Sequence, residues 1–355
     1  MRIAQLTENL MAADAISDNV LALHAALRQG GFDPLLFAAH DLLRPEGIAV
    51  LPAGDMEKEL RPSDLLLYQY SIGSPLTDWF LQQHCRKAIV YQNITPPEYL
   101  QPYDAALADA ARLGREKLAV MVDKVDFAFA SSEYSAAELR ALGYGDVTVL
   151  PVLLDFERCA AAPDAALTQR LRDGKKNILF VGRKAPNKCI EDLLLAVDYY
   201  HTASGRDCRL ILCGDESMGA YCAKLRELMA SLTVEVLWLG RVGQRELNAC
   251  YRESHLFLCM SEHEGFCVPL VESMVHDLPV LAYEAAAVPE TLGGSGVCFT
   301  RKDFPALAAV MDALLYDEKL RASVIDGQRQ RLNYFTPRRV CRVLCGALER
   351  HKYDD

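Results

Sequence analysis

Short apolar runs alternate with longer segments of helical period from one end of the chain to the other. In the first half, Arg2–Leu6, Pro34–Ala38, Asp64–Tyr68, Ala88–Tyr91, Phe127–Ala130 and Val147–Leu150 predict strands. Between them, Asn19–Gln29, Pro75–His84, Tyr103–Val122 and Ser135–Ala141 carry helical patterns. The second half repeats the design, with strands predicted at Asn177–Val181, Arg209–Cys213, Val234–Leu239, Leu256–Met260 and Pro279–Ala282. Strand–helix alternation predicts an α/β class with doubly wound parallel sheets. The irregular stretch from Pro151 to Lys176 separates two complete blocks, as a linker would. Helical patterns at Ala306–Tyr316 and Arg338–Arg350 close the chain.

Composition narrows the class. A length of 355 residues, 51% of them hydrophobic and 24% charged, is ample for two soluble cores. No apolar run approaches a membrane span, and the first residues carry no long apolar signal region. A net charge of −10 argues against general nucleic-acid binding. The 12 cysteines include no Cys-x-x-Cys pair, and many sit inside apolar runs. They read as reduced, buried thiols in a cytoplasmic protein. The scattered histidines form no ligand pair, so no protein-held metal is expected.

The chemistry concentrates in Ser261–Glu272, after the predicted strand Leu256–Met260. Pro269 suits the first turn of a helix. Glu264 then lies in a strand–helix loop and Glu272 inside the helix. Between them, small residues bring backbone N–H groups to a helix N-terminus, which attracts phosphates. Carboxylates that accept from sugar hydroxyls, beside amides that hold phosphate, suit a polyol with a diphosphate. The bare spacing of two glutamates also occurs on solvated helix faces. A second segment adds to it. After Asn177–Val181 comes Gly182-Arg183-Lys184-Ala185-Pro186-Asn187-Lys188. Gly182 permits a tight turn, and Arg183 and Lys188 could grip one anion from two sides.

These segments resemble the E-x7-E and Gly-Arg…Lys motifs of retaining glycosyltransferases with the GT-B fold, family 4 (glycosyl transferases group 1). The resemblance covers nearly the whole chain. It implies two Rossmann-like domains facing a central cleft: an acceptor-side domain, 1–155, and a nucleotide-sugar domain, 156–335. The helix in 336–355 would cross back to the first. It also implies roles. Arg183 and Lys188 stabilise the departing diphosphate beside Gly182. Glu264 holds the transferred sugar, with Gly265, Phe266 and Cys267 offering amides to its hydroxyls. Val268 to Leu270 face the phosphates, and Glu272 holds the ribose. Gly240, Arg241 and Val242 hold the base through backbone groups. Ala287–Gly294 supports the nucleotide pocket.

In the first half, Ala13–Asn19 resembles a subgroup's Gly-Asp-Ala-Ile-Gly loop, with Ala13 and Ser17 in place of the glycines. Asp14 is a substrate candidate; the run also reads as a plain helix cap. Gln69 and Gln92, in Leu67–Pro75 and Tyr91–Tyr99, stand where the subgroup usually has histidine. Glutamine keeps hydrogen bonding but cannot titrate. The change bears on sugar preference and on activity itself.

The implied reaction is metal-independent transfer of a hexose from a nucleoside-diphosphate sugar to a glycan or lipid-linked saccharide, in cell-surface polysaccharide synthesis. No separate cofactor is implied. A lipid-linked acceptor would bring the protein peripherally to the inner face of the membrane. Two other readings stay open: a nucleotide-sugar epimerase of the same fold, and a degenerate, non-catalytic partner subunit. A dinucleotide dehydrogenase is disfavoured, because no Gly-x-Gly-x-x-Gly follows either block's first strand.

Overall fold

The computed structural model describes residues 2–351 apart from Ala13, Leu42 and Arg44, and only the backbone of Asp41. The candidate Ala13 therefore lies outside the described residues. The chain divides into two compact units: Met1–Glu98, Ala106–Asp155 and Phe335–Asp355 form the first; Tyr99–Ala105 and Phe156–Tyr334 form the second.

The first unit holds a seven-stranded sheet: β1 (Arg2–Leu10), β2 (Asp33–Asp41), β3 (Val50–Pro52), β4 (Leu65–Tyr70), β5 (Arg86–Tyr91), β6 (Phe127–Ala130) and β7 (Val147–Val149). The strand order is β3-β2-β1-β4-β5-β6-β7, and every pairing is parallel. β4 and β6 are buried along their whole length, as a sheet covered by helices on both faces requires. The order reverses direction between β1 and β4, and that switch point is where open α/β sheets gather ligands. The final helix, Pro337–Arg350, belongs here. Its Val340, Leu344, Ala347 and Leu348 join Leu23, Leu27, Phe127 and Leu153 in one core, and the His351 ring stacks on Phe127 at 3.9 Å.

The second unit repeats the plan with β8 (Lys176–Val181), β9 (Cys208–Cys213), β10 (Glu235–Trp238), β11 (Leu256–Cys259), β12 (Val280–Tyr283) and β13 (Val297–Phe299). Their order is β10-β9-β8-β11-β12-β13, again all parallel. The switch point falls between β8 and β11. Leu179, Ile211, Phe257, Leu270, Met274 and Val280 fill one face of this sheet.

The structure departs from the sequence reading at several places. The first helix is Ala15–Gln29, four residues longer at its start than predicted, because Asp14 caps it by accepting from the Ser17 amide at 2.9 Å. The expected linker contains two short helices of the second unit, Phe156–Ala160 and Ala165–Leu171, the latter capped by Asp164. β3 and β13 are three-residue edge strands, partly exposed, with too little periodicity to read. The helix Glu318–Leu332 is polar nearly all round. It is pinned by Gln328, whose amide accepts from Val280 N at 3.0 Å and donates to the Leu278 carbonyl at 2.8 Å.

Candidate active site

Beside the second unit's switch point, the ends of β8, β9 and β10 are drawn together by backbone bonds. Gly182 N–H donates to the Cys213 carbonyl at 2.9 Å, and Gly214 N–H to that of Gly240 at 3.1 Å. Gly214 sits at φ 135°, and a Cβ there would lie 2.0 Å from the Gly182 oxygen. Only glycine permits that approach. Lys184 braces the same corner from inside. Fully buried, its ammonium donates to the Gly214 carbonyl at 2.8 Å and the Leu239 carbonyl at 2.9 Å, and lies 4.8 Å from the Trp238 ring centre. Burial lowers its pKa. Lys184 is therefore a strut, while its neighbour Arg183 is exposed.

The β8 exit loop is stitched to the β11 exit loop by Asn187. Its carbonyl accepts from Glu262 N at 2.9 Å, and its side-chain amide donates to the His263 carbonyl at 3.0 Å. This brings the two sequence candidates Lys188 and Glu264 together: Lys188 Nζ lies 2.6 Å from Glu264 Oε2, with the side chains 18% and 8% exposed. Burial pulls the Lys188 pKa down, but the Glu264 charge outweighs it and the net direction is upward. Neither Asn187 nor Lys184 was a sequence candidate; a neighbour in the next strand's loop leaves no local pattern. The flank is held by Lys302, whose ammonium reaches Asp192 at 2.6 Å and Glu262 at 2.8 Å.

The helix after this loop spans Val268–Val275, with Pro269 in its first turn. Cys267 caps it in the left-handed region, φ 68°. Gly265 is partly exposed, and the Phe266 carbonyl accepts from Thr291 Oγ1 at 2.6 Å. Val268 is partly exposed at the helix opening. The Leu270 side chain is in the core, and its amide donates to the Cys267 carbonyl at 3.1 Å. Glu272 is partly exposed in the second turn and accepts from the buried Tyr251 hydroxyl at 2.7 Å. Burial first, and then the Glu272 charge, push the Tyr251 pKa well up. At the β10 exit, Gly240 and Val242 are partly exposed, and the Arg241 guanidinium pairs with Asp215 at 3.0 Å. Burial raises the Asp215 pKa, but hydrogen bonds from Ser217 and the charges of Arg241 and Arg183 outweigh it and hold it low.

In the first unit, Asp14 is occupied as a helix cap: its carboxylate also accepts from the Ser17 hydroxyl at 2.8 Å. Gln69 and Gln92 form a relay with Gln5 that runs from β1 through β4 to the exit of β5. Gln92 Nε2 donates to Gln69 Oε1, Gln69 Nε2 to Gln5 Oε1, and Gln5 Nε2 to the Val20 carbonyl, each at 3.2 Å. The backbone carbonyl can only accept, so the polarity of the whole row is set from Val20 outward. Gln69, 2% exposed, is thus a buried link that orients Gln92, which is partly exposed. Gln69→Leu should strand the fully buried Gln5 oxygen without a donor and cost about 1–3 kcal/mol of stability, measured by urea unfolding. A variant as stable as wild type would show the row to be incidental.

Residues 167–331 match the family model of glycosyl transferases group 1. That span contains the whole β8 and β11 exit apparatus. Among sequence relatives, O-antigen chain mannosyltransferase B of Escherichia coli is 29% identical over 145 residues, covering 40% of this chain and 38% of its own. A GDP-mannose-dependent alpha-mannosyltransferase of Mycolicibacterium smegmatis is 31% identical over 113 residues, 32% of this chain and 27% of its own. The alignments thus span well under half of these relatives' lengths. The solved structure of Anabaena HepE in complex with UDP-glucose superposes with a TM-score of 0.80 at 17% identity, covering 99% of this chain and 100% of that one. The fold is GT-B: α/β, with two Rossmann-like sheets.

Proposed function

We propose that the chain is a retaining, metal-independent hexosyltransferase of family 4 that takes its sugar from a nucleoside diphosphate. The observation that carries this reading is the Lys188–Glu264 pair, set at the switch point beside the opening of the Val268–Val275 helix. A lysine ammonium has three donors, so Lys188 can keep Glu264 and still take a diphosphate oxygen. Arg183, exposed at the same loop, adds a second positive group. Together with the helix opening they would stabilise the charge that develops on the leaving diphosphate. Glu264, fixed by Lys188, would position the sugar, and the diphosphate would take the acceptor's proton as the acceptor attacks on its own side. Glu272 would hold the ribose. The similarity to a mannosyltransferase named for O-antigen chains supports transfer of a hexose to a glycan chain; a lipid-linked acceptor and a place in cell-surface polysaccharide synthesis are part of the same proposal. Among the described residues no helix is long and apolar enough to cross a membrane. A lipid-linked acceptor would be met at the inner face of the membrane.

The test is release of nucleoside diphosphate from a panel of nucleotide sugars, with and without EDTA. Turnover that survives chelation is expected, since Arg183, Lys188 and the helix opening already supply positive charge. Activity lost on chelation and restored by manganese would refute the metal-free mechanism. Absence of release with every donor would favour the non-catalytic partner subunit. The two glutamates should separate in the same assay. Glu272→Ala should mainly weaken nucleotide binding, and Glu264→Ala mainly lower turnover, because only the second partner changes during reaction. The reverse pattern in steady-state kinetics would overturn both roles.

A further inference from the structure

Beneath the Lys188–Glu264 pair lie two thiols that the proposed reaction does not use. Cys259 ends β11, and Cys267 caps the helix eight residues later. Both are buried, and their sulfurs and a Glu264 carboxylate oxygen all lie within 4.8 Å of one another. Cys267 holds a left-handed backbone, φ 68°, which glycine would adopt without strain. A strained non-glycine residue at a site calls for a function. We propose that Cys259, Cys267 and Glu264 form a binding site for a thiophilic divalent cation of the zinc class, whose occupancy withdraws Glu264 from Lys188.

Two sulfurs and one carboxylate select zinc or cadmium over magnesium or manganese. Zinc holds sulfur at about 2.3 Å and carboxylate oxygen at about 2.0–2.2 Å, which in a tetrahedron puts the ligands roughly 3.5–3.8 Å apart. The present separations need only small side-chain movements. Binding replaces two S–H bonds by two metal–sulfur bonds and releases two protons to solvent. The ammonium of Lys188 now satisfies Glu264, so cation and ammonium compete for one carboxylate. The site is thus a means of inhibition, distinct from metal-assisted catalysis. The inhibition rests on the transferase reading; the binding does not.

The experiment uses the full chain, stripped with EDTA and titrated with cadmium while the ultraviolet sulfur-to-metal charge-transfer band is followed. One equivalent should raise the band, and magnesium should not compete. The band should vanish in Cys259→Ala and in Cys267→Gly, the second of which relieves backbone strain and so guards against misfolding. It should persist in Cys250→Ala, at a separate close thiol pair, where the sulfurs of Cys213 and Cys250 are 3.5 Å apart. Lys188→Met should bind cadmium more tightly by removing the competitor. No band, or a band kept in both site variants or lost in Cys250→Ala, overturns the site. Where the wild type shows turnover, zinc should inhibit it reversibly and spare the residual turnover of Cys267→Gly. Equal inhibition of both would sever the link to Glu264 while leaving the spectroscopic result to judge the site.

Discussion

Lys188→Ala is expected to lower stability and nucleoside-diphosphate affinity together, because one ammonium serves both. Its removal leaves the Glu264 carboxylate 8% exposed with its charge partner gone. Breaking a buried pair from one side costs roughly 3–5 kcal/mol, and the 18% exposure of Lys188 places the loss toward the lower figure. In a unit of this size each kcal/mol moves the melting temperature by about 2–4 °C. Calorimetry should show a further loss of about 1.5–3 kcal/mol in diphosphate binding. The double variant Lys188→Met with Glu264→Gln separates the two effects: it removes both charges, so it should regain most of the stability and none of the affinity. A Lys188→Ala chain that melts with the wild type would show the pair to be solvated. One that binds nucleoside diphosphate normally would remove Lys188 from the site.

The other large effect is expected at Gly214. An alanine there would put its Cβ 2.0 Å from the Gly182 oxygen and 2.5 Å from its carbonyl carbon, at φ 135°. Backbone cannot yield as a side chain does. Relief would have to break the Gly182–Cys213 or Gly214–Gly240 hydrogen bond and move the exit of β8, which carries Arg183 and Lys188. A loss above about 4 kcal/mol is expected, in the range kept for strain of this kind. Thermal unfolding with Gly219→Ala as control checks it. Gly219 opens the helix Gly219–Met229 and a Cβ there meets nothing within 4 Å, so that change should be neutral or slightly stabilising. Equal melting of the two variants would mean that the close approach at Gly214 is not structural.

These two residues mark how far the sequence can be read. Lys188 was found as a basic residue six positions beyond a strand-end glycine, and Glu264 as an acidic residue after a buried strand. Glu264 lies in the connection after β11, and Lys188 ends a short 3-10 turn, Pro186–Lys188, after β8. Their contact was not legible, because β8 and β11 lie 75 residues or more apart and nothing in either loop names the other as its partner. The need for glycine at position 214 was equally hidden. The carbonyl it must make room for belongs to another strand. Gln69 and Gln92 were read together from a resemblance. The strand register pairs Gln5 with Leu67 and Gln69 with Val90, so each next glutamine stands two residues beyond its neighbour's partner, within reach of a side-chain hydrogen bond.

What the sequence determined by itself was local or periodic: the alternation of buried strands and amphipathic helices, hence two parallel sheets, and the loops that carry charge at their ends. Apolar period and turn chemistry are written in neighbouring residues, so they survive without tertiary knowledge. The tertiary structure alone decided which polar groups meet. It made Lys184 a buried strut and Arg183, one residue earlier, an exposed cation. It turned Asp14 into a helix cap and Leu270 into core. It anchored the polar helix Glu318–Leu332 through Gln328. Hydrogen bonds and ion pairs between loops depend on strand order and register, quantities fixed by long-range packing and carried by no single segment of the chain.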